Sequence, residues 1–88
     1  MYVVYVLEID GDPNYVYVGQ TSHTREVRMH QHRDKYKSAL SLRHAKTLTL
    51  REDLYREFAP TTQNGSLVQE SLLAINLKAK GFNVEGGH

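Results

Sequence analysis

An α+β fold, with a small three-stranded and largely antiparallel sheet flanked by helices, is predicted by three observations. Two runs rich in Val and Tyr, residues 2–9 and 15–21, are joined by the turn-forming cluster Asp10-Gly11-Asp12-Pro13-Asn14 and read as a hairpin. Arg25, Arg28 and His32 recur at spacings of three and four, the repeat of one helical face. Residues 66–80 carry Leu67, Val68, Leu72, Leu73, Ile75 and Leu77, a broad apolar surface of a helix that has to meet a core.

The first strand runs from Tyr2 to Ile9 and the second from Tyr15 to Thr21. Pairing Ile9 with Tyr15 sets Leu7 against Tyr17 and Tyr5 against Gly19. Tyr5 and Tyr17 then share one face as diagonal neighbours, and Gly19 leaves an opening where a substrate backbone could approach. Ser22 or Thr24 caps a helix that ends near Tyr36. Val27 and Met29 are among its few apolar residues, so it buries little. Residues 37–44 read as irregular. Lys46–Leu50 alternates polar and apolar and forms the third strand. Arg51–Phe58 is a short helix or a turn, and Pro60–Gly65 a loop. Ser66 caps the last helix, with Gln69 completing a capping box, and Gly81 stops it. Glu70 falls in the first turns of that helix and Asn83 just beyond its end.

Eighty-eight residues bound the chain to a single domain, 1–88. With no cysteine, disulfides, thiolate zinc sites and cysteine nucleophiles are excluded, and a cytoplasmic location is expected. The apolar run from Tyr2 to Leu7 is too short for a signal peptide or a membrane span, so no membrane partner is expected. Net charge is only +1, but it is unevenly spread. Residues 25–56 hold nine Lys and Arg (Arg25, Arg28, Arg33, Lys35, Lys37, Arg43, Lys46, Arg51 and Arg56) against four acids, while residues 1–24 hold three acids and no base. A basic block on a near-neutral domain suits a phosphate-bearing partner, and it equally describes a solvated helix face. Asp10, Asp12 and Asn14 begin like a calcium loop, but its glycine and closing glutamate positions are Tyr15 and Thr21, so the segment reads as a turn. His30 and His32 diverge around a helix and have no convincing zinc partners.

Taken together, Tyr5, Tyr17-Val18-Gly19, Arg28, His32 and Glu70 resemble, in order and spacing, the active-site pattern of the GIY-YIG endonuclease family, over residues 2 to 87. Tyr5 stands where the first motif ends and Tyr17-Val18-Gly19 holds the second. Arg28 and His32 match the helical Arg and its partner four residues on, and Glu70 matches the metal-binding Glu of a later helix. Asn83 fits the closing Asn, and Gly81-Phe82-Asn83-Val84-Glu85-Gly86-Gly87 resembles the end of small stand-alone members. Val3 and Val4 replace the Gly and Ile of the first motif, and Gln20 stands where some relatives carry Lys. The interval from Gly19 to Arg28 is one residue long, which keeps Arg25 as a rival to Arg28 for the catalytic arginine.

The resemblance implies a metal-dependent hydrolase of DNA phosphodiesters, leaving 5′-phosphate and 3′-hydroxyl ends. Glu70 would hold Mg²⁺ or Mn²⁺, Arg28 would clamp a phosphate oxygen, and His32 would hold a tyrosine hydroxyl or a phosphate oxygen. Either Tyr5 or Tyr17 would orient or deprotonate the attacking water. To act as a base, that tyrosine needs a pKa lowered from about 10. Asn83 would close the site. Gly19, Gln20, Arg25, Arg33 and Lys35 are candidates for DNA contact. A homodimer or a larger DNA-processing partner is compatible with cutting both strands. The rival reading is a non-catalytic module that binds nucleic acid on the same scaffold.

Overall fold

The structure, a computed structural model, describes residues 1–34 and 42–87. Its elements are β1 (Val3–Ile9), β2 (Asp12–Thr21), α1 (Arg25–Arg33), β3 (Leu48–Leu50), α2 (Glu52–Tyr55), α3 (Gln63–Ala79) and β4 (Asn83–Gly86). The class is α+β, with helices flanking the sheet. The sheet has four strands rather than the expected three, in the order β3-β1-β2-β4. It is mixed: β1 pairs antiparallel with β2 and β3, whereas β4 lies parallel to β2. The fourth strand escaped the sequence reading because it is four residues long and Gly-flanked, without a period-two run. It exists by pairing along the open edge of β2.

The hairpin turn is tighter than the five-residue cluster suggested. Asp10 and Gly11 alone turn the chain, with φ of 54° and 71°, the two left-handed positions that a two-residue hairpin requires. Asp12 then pairs with Ile9 and Val16 with Glu8, so residues 13–15 form a bulge where Tyr15 had been expected opposite Ile9. The Asp12 carboxylate closes the bulge by accepting from Asn14 N at 2.9 Å. Beyond it the pairing Leu7–Tyr17 and Tyr5–Gly19 is as expected.

Alternation along β1 and β2 splits the core in two. Val4, Val6, Val16 and Val18 pack on one face against Tyr55 of α2 and Leu73, Ala74 and Leu77 of α3. Tyr5, Leu7 and Ile9 pack on the other with Leu42 and Leu48, and Tyr17 and Met29 lie against them. Each fully buried aliphatic side chain contributes about 1.5–3 kcal/mol.

Thr24, not Ser22, caps α1, its Oγ1 accepting from Val27 N at 3.1 Å. The helix ends at Arg33, with Asp34 as its C-cap. The expected end at Tyr36 lies outside the described residues. The third strand is confined to Leu48–Leu50, and residues 52–55 are helical. In α3 the capping box fails. Thr62 is the cap, accepting from Gly65 N at 3.1 Å. Ser66 is wholly buried inside the helix, its Oγ 2.7 Å from the Gln63 carbonyl. Gln69 turns its amide nitrogen to Ala59 O at 3.2 Å instead. The end is as expected: Gly81 at φ 98° lets Phe82 N reach Leu77 O and Gly81 N reach Lys78 O, each at 3.0 Å. Among the described residues no helix is long and apolar enough to cross a membrane.

Candidate active site

Tyr5 and Tyr17 stand on adjacent strands with ring centroids 6.2 Å apart. Gly19 makes this possible. A Cβ there would lie 2.6 Å from the Tyr5 oxygen and 3.0 Å from Tyr17 Cε1, so no other residue fits without displacing both rings. The space expected to admit a substrate backbone is therefore filled by Tyr5 itself, and Gly19 is buried.

Tyr17 is held on its other side by β4. A Cβ on Gly86 would lie 2.8 Å from Tyr17 Cε2 and would run into the Val18 carbonyl. Gly86 also has φ 72°, which disfavours any side chain. Gly86 is a site residue that the sequence reading missed. The sequence reading took Gly86 only as part of the closing run Gly81–Gly87 that resembles the end of small stand-alone family members.

From α1, His32 enters fully buried. Its ring is 5.4 Å from Tyr17 and 6.0 Å from Tyr5, and its Nε2 is 2.9 Å from the Tyr5 hydroxyl. Arg28, one turn earlier, donates to the Tyr5 oxygen and holds Gln31 Oε1 at 3.0 Å. A guanidinium can only donate. The Tyr5 hydroxyl and His32 Nε2 share one hydrogen bond. Glu70 reaches the same place from α3, buried to 6% exposure, and its charge acts on both tyrosines.

Burial dominates the tyrosine pKa values. It pushes the Tyr5 hydroxyl far above the usual phenol range; Tyr17 adds to this, Arg28 opposes it, and Glu70 adds a further push upward. Tyr17 is also raised, by burial first and Glu70 second, against the pull of Arg28. The lowering that a tyrosine base needs is absent from this state of the protein. Both phenols keep their protons at neutral pH. Tyr5 is 1% exposed, whereas Tyr17 is only half-buried and so is the one that solvent can reach.

Other expected residues lie elsewhere. Arg25 donates through Nε to Val4 O at 2.7 Å and stacks 4.3 Å over the Tyr55 ring. The short β3 leaves that carbonyl without a ladder partner, and Arg25 supplies one. Arg33 does the same for the outer edge of β3, donating to Leu48 O at 2.8 Å. Gln20 points toward α3, its side-chain amide 3.3 Å from Ser66 Oγ. Asn83 is exposed and pairs in register with Tyr15, whereas Glu85 is the residue opposite Tyr17. Lys35 lies outside the described residues.

Five side chains from four elements thus share one place: Tyr5, Tyr17, Arg28, His32 and Glu70. Among the described residues no group of three or more His, Asp or Glu is placed to hold a metal. A hard divalent cation asks less of a protein, often one or two carboxylates, with water and a substrate phosphate completing its shell. The Glu70 carboxylate, whose charge acts on both phenols, fits that donor chemistry. Comparisons with family models, curated proteins and solved structures give no match to this chain.

Proposed function

We propose that this protein is a divalent-metal-dependent endonuclease that hydrolyses DNA phosphodiester bonds, as the resemblance to GIY-YIG nucleases implies. One observation carries the reading. A guanidinium, a carboxylate, two phenols and an imidazole, scattered from residue 5 to residue 70, converge on a single point. Stability alone does not require a cation and an anion beside one buried and one half-buried tyrosine.

Hydrolysis needs a positioned water, charge neutralisation at phosphorus and a stabilised leaving oxygen. Arg28 is the phosphate clamp, since its fork matches two oxygens of a phosphate. Tyr17, the accessible phenol, orients the attacking water. Tyr5 acts behind it, holding Arg28 and His32 in place through the chain Arg28 to Tyr5 to His32. Glu70 would hold Mg²⁺ or Mn²⁺, which when bound supplies positive charge to the phosphate and the 3′ leaving oxygen and offsets the field that keeps the proton on Tyr17. Water adds to phosphorus as the P–O3′ bond breaks, so the products carry 5′-phosphate and 3′-hydroxyl ends.

The test is cleavage of a supercoiled plasmid and a branched duplex in Mg²⁺, Mn²⁺ or EDTA, with the ends of the product examined. Metal-dependent nicks that a ligase reseals are expected. Retardation of DNA without cleavage in either metal would instead mark a binding module.

A further inference from the structure

Helix α3 carries a second surface that the site does not use. Its inward face is Ser66, Glu70, Leu73, Ala74 and Leu77, all buried. Its outward face is apolar too: Val68, Leu72 and Ile75 are 59%, 52% and 62% exposed, with Leu67 at 41% beside them. From Gln63 to Leu77 the only charged residue is the buried Glu70. A helix that is apolar all round is ordinarily covered all round, and a row of exposed aliphatics differs from the scattered singles of a normal surface. The lack of cations on this face argues against nucleic acid.

The pattern specifies what covers it. Val68, Leu72, Ile75 and Ala79 are spaced four, three and four apart, the seam of a two-helix coiled coil. We propose that α3 pairs with α3 of a second copy, antiparallel, about a two-fold axis between residues 73 and 74. This register sets Leu72 against Ile75 of the second copy, and Val68 against Ala79, in both directions. All four seam positions are then used. At the rim Gln69 meets Asn76 and Ser71 meets Lys78, so no like charges face each other. A parallel pair would gather both copies of Lys78 and Lys80 at one end. The seam is short against the roughly 1,600 Å² of a standard interface, so the dimer dissociates in the range of about 10–100 µM.

Sedimentation equilibrium of the full chain from roughly 5 to 500 µM should show the mass doubling with concentration. Leu72→Lys and Ile75→Lys lie on an exposed face. Each should leave the circular dichroism unchanged and weaken association on the order of 100-fold. Because the chain has no cysteine, a Val68→Cys chain mixed with an Ala79→Cys chain gives a clean test of register. Mixed disulfides are expected. A chain that stays monomeric at the highest concentration overturns the proposal and leaves the face to a different protein. A dimer that both lysine variants leave intact, or disulfides that form only between identical variants, also overturns it. None of these readings depends on cleavage.

Discussion

The Tyr5 hydroxyl lies 2.9 Å from His32 Nε2, joining β1 to α1 across 27 residues of chain, and both side chains are almost wholly buried. This bond ties α1 to the sheet. Removing the hydroxyl leaves a buried imidazole nitrogen without it, and such a loss costs about 1–3 kcal/mol. Tyr5→Phe should therefore lower the unfolding free energy by that amount, read in urea as a lower midpoint at unchanged m-value. Tyr17→Phe, at a half-buried position, should cost less.

Activity should divide the same two variants the other way. Tyr17 is the phenol within reach of solvent, so Tyr17→Phe should lower kcat by about 10²–10⁴-fold, the range of a lost proton-handling group. Tyr5→Phe should retain more of the rate when both are assayed well below their unfolding midpoints. Equal losses would place the water on neither ring.

Both phenols have raised pKa values, chiefly through burial, and this gives stability a defined pH window. Below the unfolded value near 10 each tyrosine is protonated in both states, and their contribution is fully present. As pH rises above 10 the unfolded chain releases these protons while the folded chain keeps them, and stability falls. Wild type should lose stability steeply above pH 10 in unfolding titrations, and the double Phe variant should show a shallower slope.

Gly19 is the hinge of the packing between the two rings. Gly19→Ala drives a methyl to 2.6 Å from the Tyr5 oxygen. The ring must move away from His32, at a cost of about 1–3 kcal/mol for an overpacked core. Loss of activity should exceed what the stability change explains, in assays far below the melting temperature.

In the proposed function Arg28 contacts the phosphate, and Arg25 and Arg33 hold backbone carbonyls. Arg28→Ala should weaken binding evenly across DNA sequences and reduce the slope of log K against log salt by about one. That measurement is made by fluorescence anisotropy over a salt series.

Much of this was legible in the sequence, and the gaps have physical causes. The pairing of Tyr5 with Gly19 followed from setting Ile9 opposite Tyr15 across residues 10–14, and it holds because the bulge at residues 13–15 restores that register beyond the tighter turn. The five site residues were singled out by the family resemblance. Arg25 and Arg33 read as candidates for DNA contact because the sequence cannot show the open strand edges whose carbonyls, Val4 O and Leu48 O, they cap. Ser66 and Thr62 both suit a helix cap. Burial decides between them, since Ser66 is enclosed beside Gln20. Strand β4 forms only because β2 offers it an edge, and Gly86 matters only because Tyr17 lies against it. Neither relation has a local signal.

The most direct measurement is plasmid nicking in Mg²⁺ by wild type and by Glu70→Gln, which keeps the shape of a buried side chain while removing its charge. Wild-type nicking that is abolished by EDTA and lost by at least about 10³-fold in Glu70→Gln, with the melting temperature preserved, is the expected result. Nicking that survives Glu70→Gln at the wild-type rate, or that proceeds in EDTA, would contradict the assignment of this site as a metal-dependent nuclease centre.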